Sequence, residues 1–313
     1  HLAHLRVLFA RAARHLLGFF AYYAGDLPLA EAQFAEGLPE GIEHAPEWLV
    51  RLYNGPPKAV ELAYRGLVDL RRGRSAEACQ AEEAARNLAR AYGSPNLTAY
   101  VLVLCAAIHR HAHDPGPTLE LAREAVALSR EEGLRAPRLA GMAYREWAKS
   151  ALGIGGRLDR LQSVARAEGG NTGGFMLAAL VAPAYGLQGH RERQIALARE
   201  LFRCETGIRG PELYECDLYL GLGEALLETG ETEEGEESLL LGIQAARIAG
   251  NRRQHLRGVI PLARYWLRKG WREEAKGILD GAVRDLPGEE DNPDLAEARS
   301  LQAECRRRVA WQP

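Results

Sequence analysis

GLGEALLETGETEEGEESLLLGI, residues 221–243, and LARYWLRKGWREEAKGILDGAV, residues 262–283, decide how this chain folds. Each is an apolar run closed by a glycine, Gly230 or Gly270, and followed by a second amphipathic run rich in small residues. Glycine can take the left-handed backbone conformation that ends a helix. Leu256, Val259, Ile260, Ala263, Trp266 and Leu267 recur at helical period on one face, answered by Ala275, Ile278, Leu279 and Ala282. One hairpin of such helices cannot bury both apolar faces, so hairpins must stack.

The same unit recurs toward the N-terminus. Residues 16–38 turn at Gly25-Asp26 before Ala30 and Phe34, and residues 64–89 turn at Gly73-Arg74 before Ala78 and Ala85. Degenerate copies turn near His113-Asp114, Gly155-Gly156 and Gly189-His190. Turns then fall roughly 33 to 48 residues apart, mostly about 40, against about 34 for a tetratricopeptide repeat. Gly66, Gly223, Ala78 and Ala275 are small enough to let paired helices approach. Pro183 and Pro261 fall inside first helices, where each removes a backbone bond. We expect an all-α fold: a right-handed superhelix of about seven tetratricopeptide-like antiparallel pairs over residues 1–313, plus a C-terminal capping helix. Asn292 is placed to cap that last helix and Pro293 to open it. The run Gly169-Gly170-Asn171-Thr172-Gly173-Gly174 predicts a flexible joint at 169–174.

Composition agrees. Apolar residues make up 47% and charged residues 26%, the balance of a folded chain rather than a disordered one. Formal net charge is −2, so no global field draws the chain to nucleic acid or to an anionic membrane. The short basic runs at Arg252-Arg253 and Arg306 to Arg308 do not change that. No stretch approaches the roughly 20 apolar residues that span a bilayer. Five scattered cysteines without a CxxC pair predict reduced thiols in a cytoplasmic protein and no structural zinc. His1 in place of Met leads us to expect a tag remnant or an excised boundary of a longer chain.

Catalytic signatures are wanting. Lys149-Ser150 is preceded by alanines where a phosphate loop needs glycines, and the GxGG at 153–156 follows no strand. His109 and His113 share a helical spacing beside His111 and Asp114, yet they end a helix, where imidazolium and free carbonyls attract. We therefore expect no metal, no cofactor and no enzymatic activity.

Binding is expected on the inner face. With each turn glycine as position fifteen, positions two, five, nine, twelve and thirteen of the first helices line it. That register selects Phe19, Tyr22 and Tyr23, then Tyr100, Arg110 and His111; in the middle pair, where the turn can be set at either Gly155 or Gly156, it gives Arg145, Glu146 or Lys149. In the late pairs it selects Glu224 and Glu228, followed by Arg257, Arg264 and Arg268. The last three make an arginine ladder suited to an acidic or phosphorylated ligand, unless Glu224 and Glu228 neutralise it.

ELYECDLYLGLGEALL at 212–227, LARYWLRKGWREEA at 262–275 and PDLAEARSL at 293–301 carry a family resemblance. Looser matches are YNGPPKAVELAYRGLVDLRRGR at 53–74, LTAYVLVLCAAIHRHAHD at 97–114 and AYREWAKSALGIGG at 143–156. The chain resembles the C-terminal tetratricopeptide region of large bacterial signalling proteins. In those, a P-loop ATPase is preceded by a class III nucleotide cyclase or a DNA-binding activator domain. The resemblance implies a sensor or scaffold module. Its partner would be a protein or peptide, or a small-molecule effector, with nucleic acid and membrane excluded. The alternative is a stand-alone adaptor that captures a peptide.

Overall fold

A computed structural model describes residues 2–38, 41, 45–167, 172–203, 212–286 and 292–306. These form sixteen α-helices and, among the described residues, no strand. Helices pair across the expected turns: α1 (Leu2–Tyr23) with α2 (Leu27–Ala35) across Gly25, and α4 (Pro57–Arg71) with α5 (Ser75–Tyr92) across Gly73. They continue as α6 (Pro95–Ala112) with α7 (Pro115–Glu131), α8 (Arg135–Ala151) with α9 (Leu158–Ala167), and α10 (Thr172–Leu187) with α11 (Arg191–Arg203). Last come α12 (Glu212–Thr229) with α13 (Thr232–Ile248), α14 (Arg252–Arg268) with α15 (Arg272–Arg284), and α16 (Pro293–Arg306) alone. That is seven pairs and a closing helix.

One helix was not foreseen. α3 (Glu47–Tyr53) sits in the long connection after the first pair, opened at Pro46 and stopped by Asn54, whose φ is 53°. It explains why the first two turns stand furthest apart. Pro183 and Pro261 do lie inside α10 and α14. Of the expected joint at 169–174, residues 169–171 lie outside the described residues, and 172–174 open α10.

Turn chemistry follows the sequence. Gly230 and Gly270 have φ of 92° and 84°. His113, where glycine is missing, takes φ 59° and its N–H reaches the Arg110 carbonyl at 3.0 Å.

The helices group into two compact units, His1–Leu70 with Arg74–Tyr214, and Arg71–Gly73 with Glu215–Pro313. In the first, successive first helices lie side by side: α6 packs on α8 and α8 on α10. Exposed ion pairs bridge second helices of neighbouring hairpins. Arg90 to Glu124, Arg166 to Glu200 and Arg193 to Asp159 each join residues 34 positions apart. For α9 and α11 this separation matches that of their turns at Gly155 and Gly189, whereas Arg90 and Glu124 pair diagonally across turns that stand further apart.

In the second unit, Leu239, Leu256, Val259, Leu262, Ala263, Ala275, Leu279 and Ala282 form a core closed by Leu295 and Ala298 of α16. Backbones approach closely through glycines. A Cβ on Gly223 would stand 2.7 Å from the Gly235 carbonyl oxygen and 2.8 Å from the Leu239 amide. Asn292 caps α16 through a 3.0 Å bond from the Asp294 N–H to its Oδ1.

Candidate functional site

The most developed polar surface of the first unit is built of phenols. Tyr23 at the end of α1, Tyr64 in mid-α4 and Tyr100 at the start of α6 meet because those helices lie side by side. Their hydroxyls form a chain, 3.0 Å from Tyr23 to Tyr64 and 2.8 Å from Tyr64 to Tyr100. Phe19 meets the Tyr64 ring edge-on at 5.2 Å, and Tyr53 of α3 stacks on Tyr100 at 6.3 Å with an interplanar angle of 18°. Tyr22 and Tyr64 are buried, while Phe19, Tyr23, Tyr53 and Tyr100 are half-buried and present one flank to solvent. Burial raises the pKa of Tyr23, Tyr64 and Tyr100, so all three hydroxyls stay protonated at neutral pH and can donate.

A buried ionic knot holds this surface from below. His15 is fully buried, with Nε2 3.0 Å from the Tyr53 hydroxyl and Nδ1 3.6 Å from Glu61. The Leu38 N–H donates to both Glu61 oxygens, at 2.9 and 3.0 Å, and Lys58 donates to Oε1 at 2.8 Å. Burial alone would raise the Glu61 pKa; His15, Lys58 and the Leu38 amide outweigh it, and the net shift is downward.

Along the same face, Arg110 and His111 are buried rather than displayed. The Arg110 guanidinium lies 5.6 Å over the Trp147 ring, and its Nη1 is 3.0 Å from His111 Nδ1. Glu146 is also buried, held by Arg145 at 2.9 Å, Lys149 at 3.4 Å and the Arg157 N–H at 3.0 Å. These contacts overcome the upward push of burial and leave its pKa below the ordinary value.

The histidine trio separates. His109 faces Glu82 at 2.9 Å, His111 faces Arg110, and His113 meets Trp147 edge-on at 6.1 Å. No metal-competent group occurs among the described residues.

In the second unit, Glu224 and Glu228 are exposed on α12. Two arginines of the ladder meet carboxylates on the closing helix: Arg257 bonds Asp294 at 2.9 Å, and Arg264 pairs with Glu297. Arg268 is exposed, without a carboxylate partner among the described residues. Lys269 lies 4.5 Å from the rings of both Tyr265 and Trp271.

Sequence register found Tyr23 and Tyr100 but missed Tyr53 and Tyr64. Tyr64 falls one residue beyond the position the register selects, and Tyr53 sits on the unforeseen α3. The signal was there to use: Pro46-Glu47 opens a helix and Asn54-Gly55 closes one.

Successive antiparallel helix hairpins, stacked on one another, make this a tetratricopeptide-like helical-repeat protein. The solved structure of NprR in complex with its cognate peptide NprX matches over 94% of this chain and 82% of its own, with a TM-score of 0.56 and 13% identity. The TPR2AB domain of yeast Sti1 with an HSP90 peptide covers 95% and 98% at 14% identity, but its TM-score is only 0.36. No family model and no curated protein matches the chain in sequence. No helix among the described residues is long and apolar enough to cross a membrane.

Proposed function

We propose that the chain is a non-catalytic scaffold that captures a protein or peptide segment against the phenol-lined face of α1, α3, α4 and α6. One observation carries the reading: half-buried Tyr23 and Tyr100, from two helices, share a hydroxyl chain through buried Tyr64, and half-buried Tyr53 from a third helix stacks on Tyr100. Rigid aromatic side chains give large contact area at low entropic cost, and protonated hydroxyls can bond a peptide backbone. The likeness to NprR, described with its peptide, supports the same use of this fold.

The test is direct. Peptides selected by display against the full chain should bind with a measurable heat, and Tyr23→Ala with Tyr100→Ala should weaken them roughly tenfold or more. Unchanged affinity in a variant that keeps its helical circular dichroism would remove this face from the reading.

The setting, a sensor arm of a cytoplasmic bacterial signalling regulator, rests on the resemblance at 212–227, 262–275 and 293–301. A P-loop ATPase upstream in the parent reading frame supports it. A stand-alone reading frame supports the adaptor instead.

A further inference from the structure

Where the end of α8 meets the start of α9 lies a cavity of about 300 Å3. Arg145, Lys149, Arg157 and Arg160 line it, with Met142 and Leu161 as its apolar wall. Four cations therefore face one carboxylate, Glu146, which also lines the cavity.

Glu146 is 2% exposed, and both of its oxygens are occupied. Oε1 takes Arg145 and Lys149, while Oε2 accepts the Arg157 backbone N–H at 3.0 Å. Gly156 seats the loop tightly, since a Cβ there would stand 3.1 Å from the Glu146 carbonyl oxygen. Glu146 thus fixes the Arg157 backbone without engaging its side chain. The guanidinium groups of Arg157 and Arg160 are exposed, with no carboxylate partner among the described residues. The nearest acid in sequence, Asp159, is committed elsewhere, to Arg193 and to the Tyr185 hydroxyl at 2.8 Å each.

We propose that this cavity binds a phosphomonoester. A lone carboxylate would leave most of the positive charge uncompensated. A phosphate monoester brings about 1.5 to 2 negative charges and three strong acceptor oxygens, enough for several guanidinium forks at once. The ten-residue α9 opens at Leu158 beside the cavity, and the positive end of its dipole adds to the field. Glu146 is a positioning residue here, and Arg157 and Arg160 are the ligand's own contacts. The site goes beyond peptide capture: it holds whether or not a segment lies against the tyrosines.

Calorimetry on the full chain with phosphoserine, inorganic phosphate and succinate tests the inference. Phosphoserine and phosphate should bind saturably, phosphoserine at least as tightly, and both more weakly as salt rises. Arg157→Ala with Arg160→Ala should weaken both by about tenfold or more, with Arg130→Ala as an unaffected control. If the alanine double variant loses its helical spectrum, Arg157→Gln with Arg160→Gln takes its place. The inference is overturned by any of three results: no saturable binding of phosphoserine, retained affinity in the folded double variant, or succinate binding as tightly as phosphoserine.

Discussion

Glu61 shows how one residue links stability to the binding face. It is a buried carboxylate that anchors Lys58, His15 and the Leu38 amide beneath Tyr53. Removing it strands those donors, so Glu61→Ala should cost about 3 kcal/mol in urea melts at pH 7. Its pH signature has a definite sign. The folded pKa is depressed, so the contribution is fully present above the unfolded value of about 4.3 and is lost as pH falls through the folded pKa. Glu61→Gln should therefore flatten the acid limb of the stability profile below about pH 4.3; an unchanged limb would assign the loss to other carboxylates. The tyrosines have the opposite sign. Their folded pKa values are raised, so stability should fall as pH climbs above about 10, and Tyr64→Phe should reduce that fall. Equal alkaline slopes in both proteins would refute this.

Between elements, the glycines that pair helices are the points of least tolerance. Gly223 faces the Gly235 carbonyl and the Leu239 amide, which are backbone atoms that cannot turn aside. Alanine normally favours a helix over glycine by about 1 kcal/mol. Here the clash should outweigh that gain, and Gly223→Ala should lose about 1–3 kcal/mol. A thermal midpoint at or above wild type would show that α12 and α13 can part without cost. The closing helix offers a second element test. α16 covers the core with Leu295 and Ala298 and ties Arg257 to Asp294. Ending the chain before Pro293 should expose that core, lower the melting temperature and promote aggregation, as loss of a terminal cap does in stacked repeats. Light scattering and calorimetry would read both. The arginine ladder of the sequence reading takes on a structural task here. Periodicity along α14 could not tell that α16 would bring Asp294 to Arg257 and Glu297 to Arg264.

Over the whole molecule, the sequence revealed the seven turns, because each depends on a local conformation marked by one residue: glycine six times and His113 once. Which residues of neighbouring hairpins pair was hidden, since ion pairs such as Arg90 with Glu124 depend on how the hairpins stack rather than on the turns. The site was legible in part. Tyr23 and Tyr100 followed from helical register, whereas Arg110 and Glu146 turned inward, drawn by Trp147 and by the Arg157 amide. Tyr53 depended on α3, a seven-residue helix too short for periodicity to announce. The structure of the full chain bound to a display-selected peptide tests the central claim most directly. The account predicts peptide backbone within hydrogen-bond reach of Tyr23, Tyr53 or Tyr100; a peptide seated instead on the outer helices α2, α5 and α7 would contradict it.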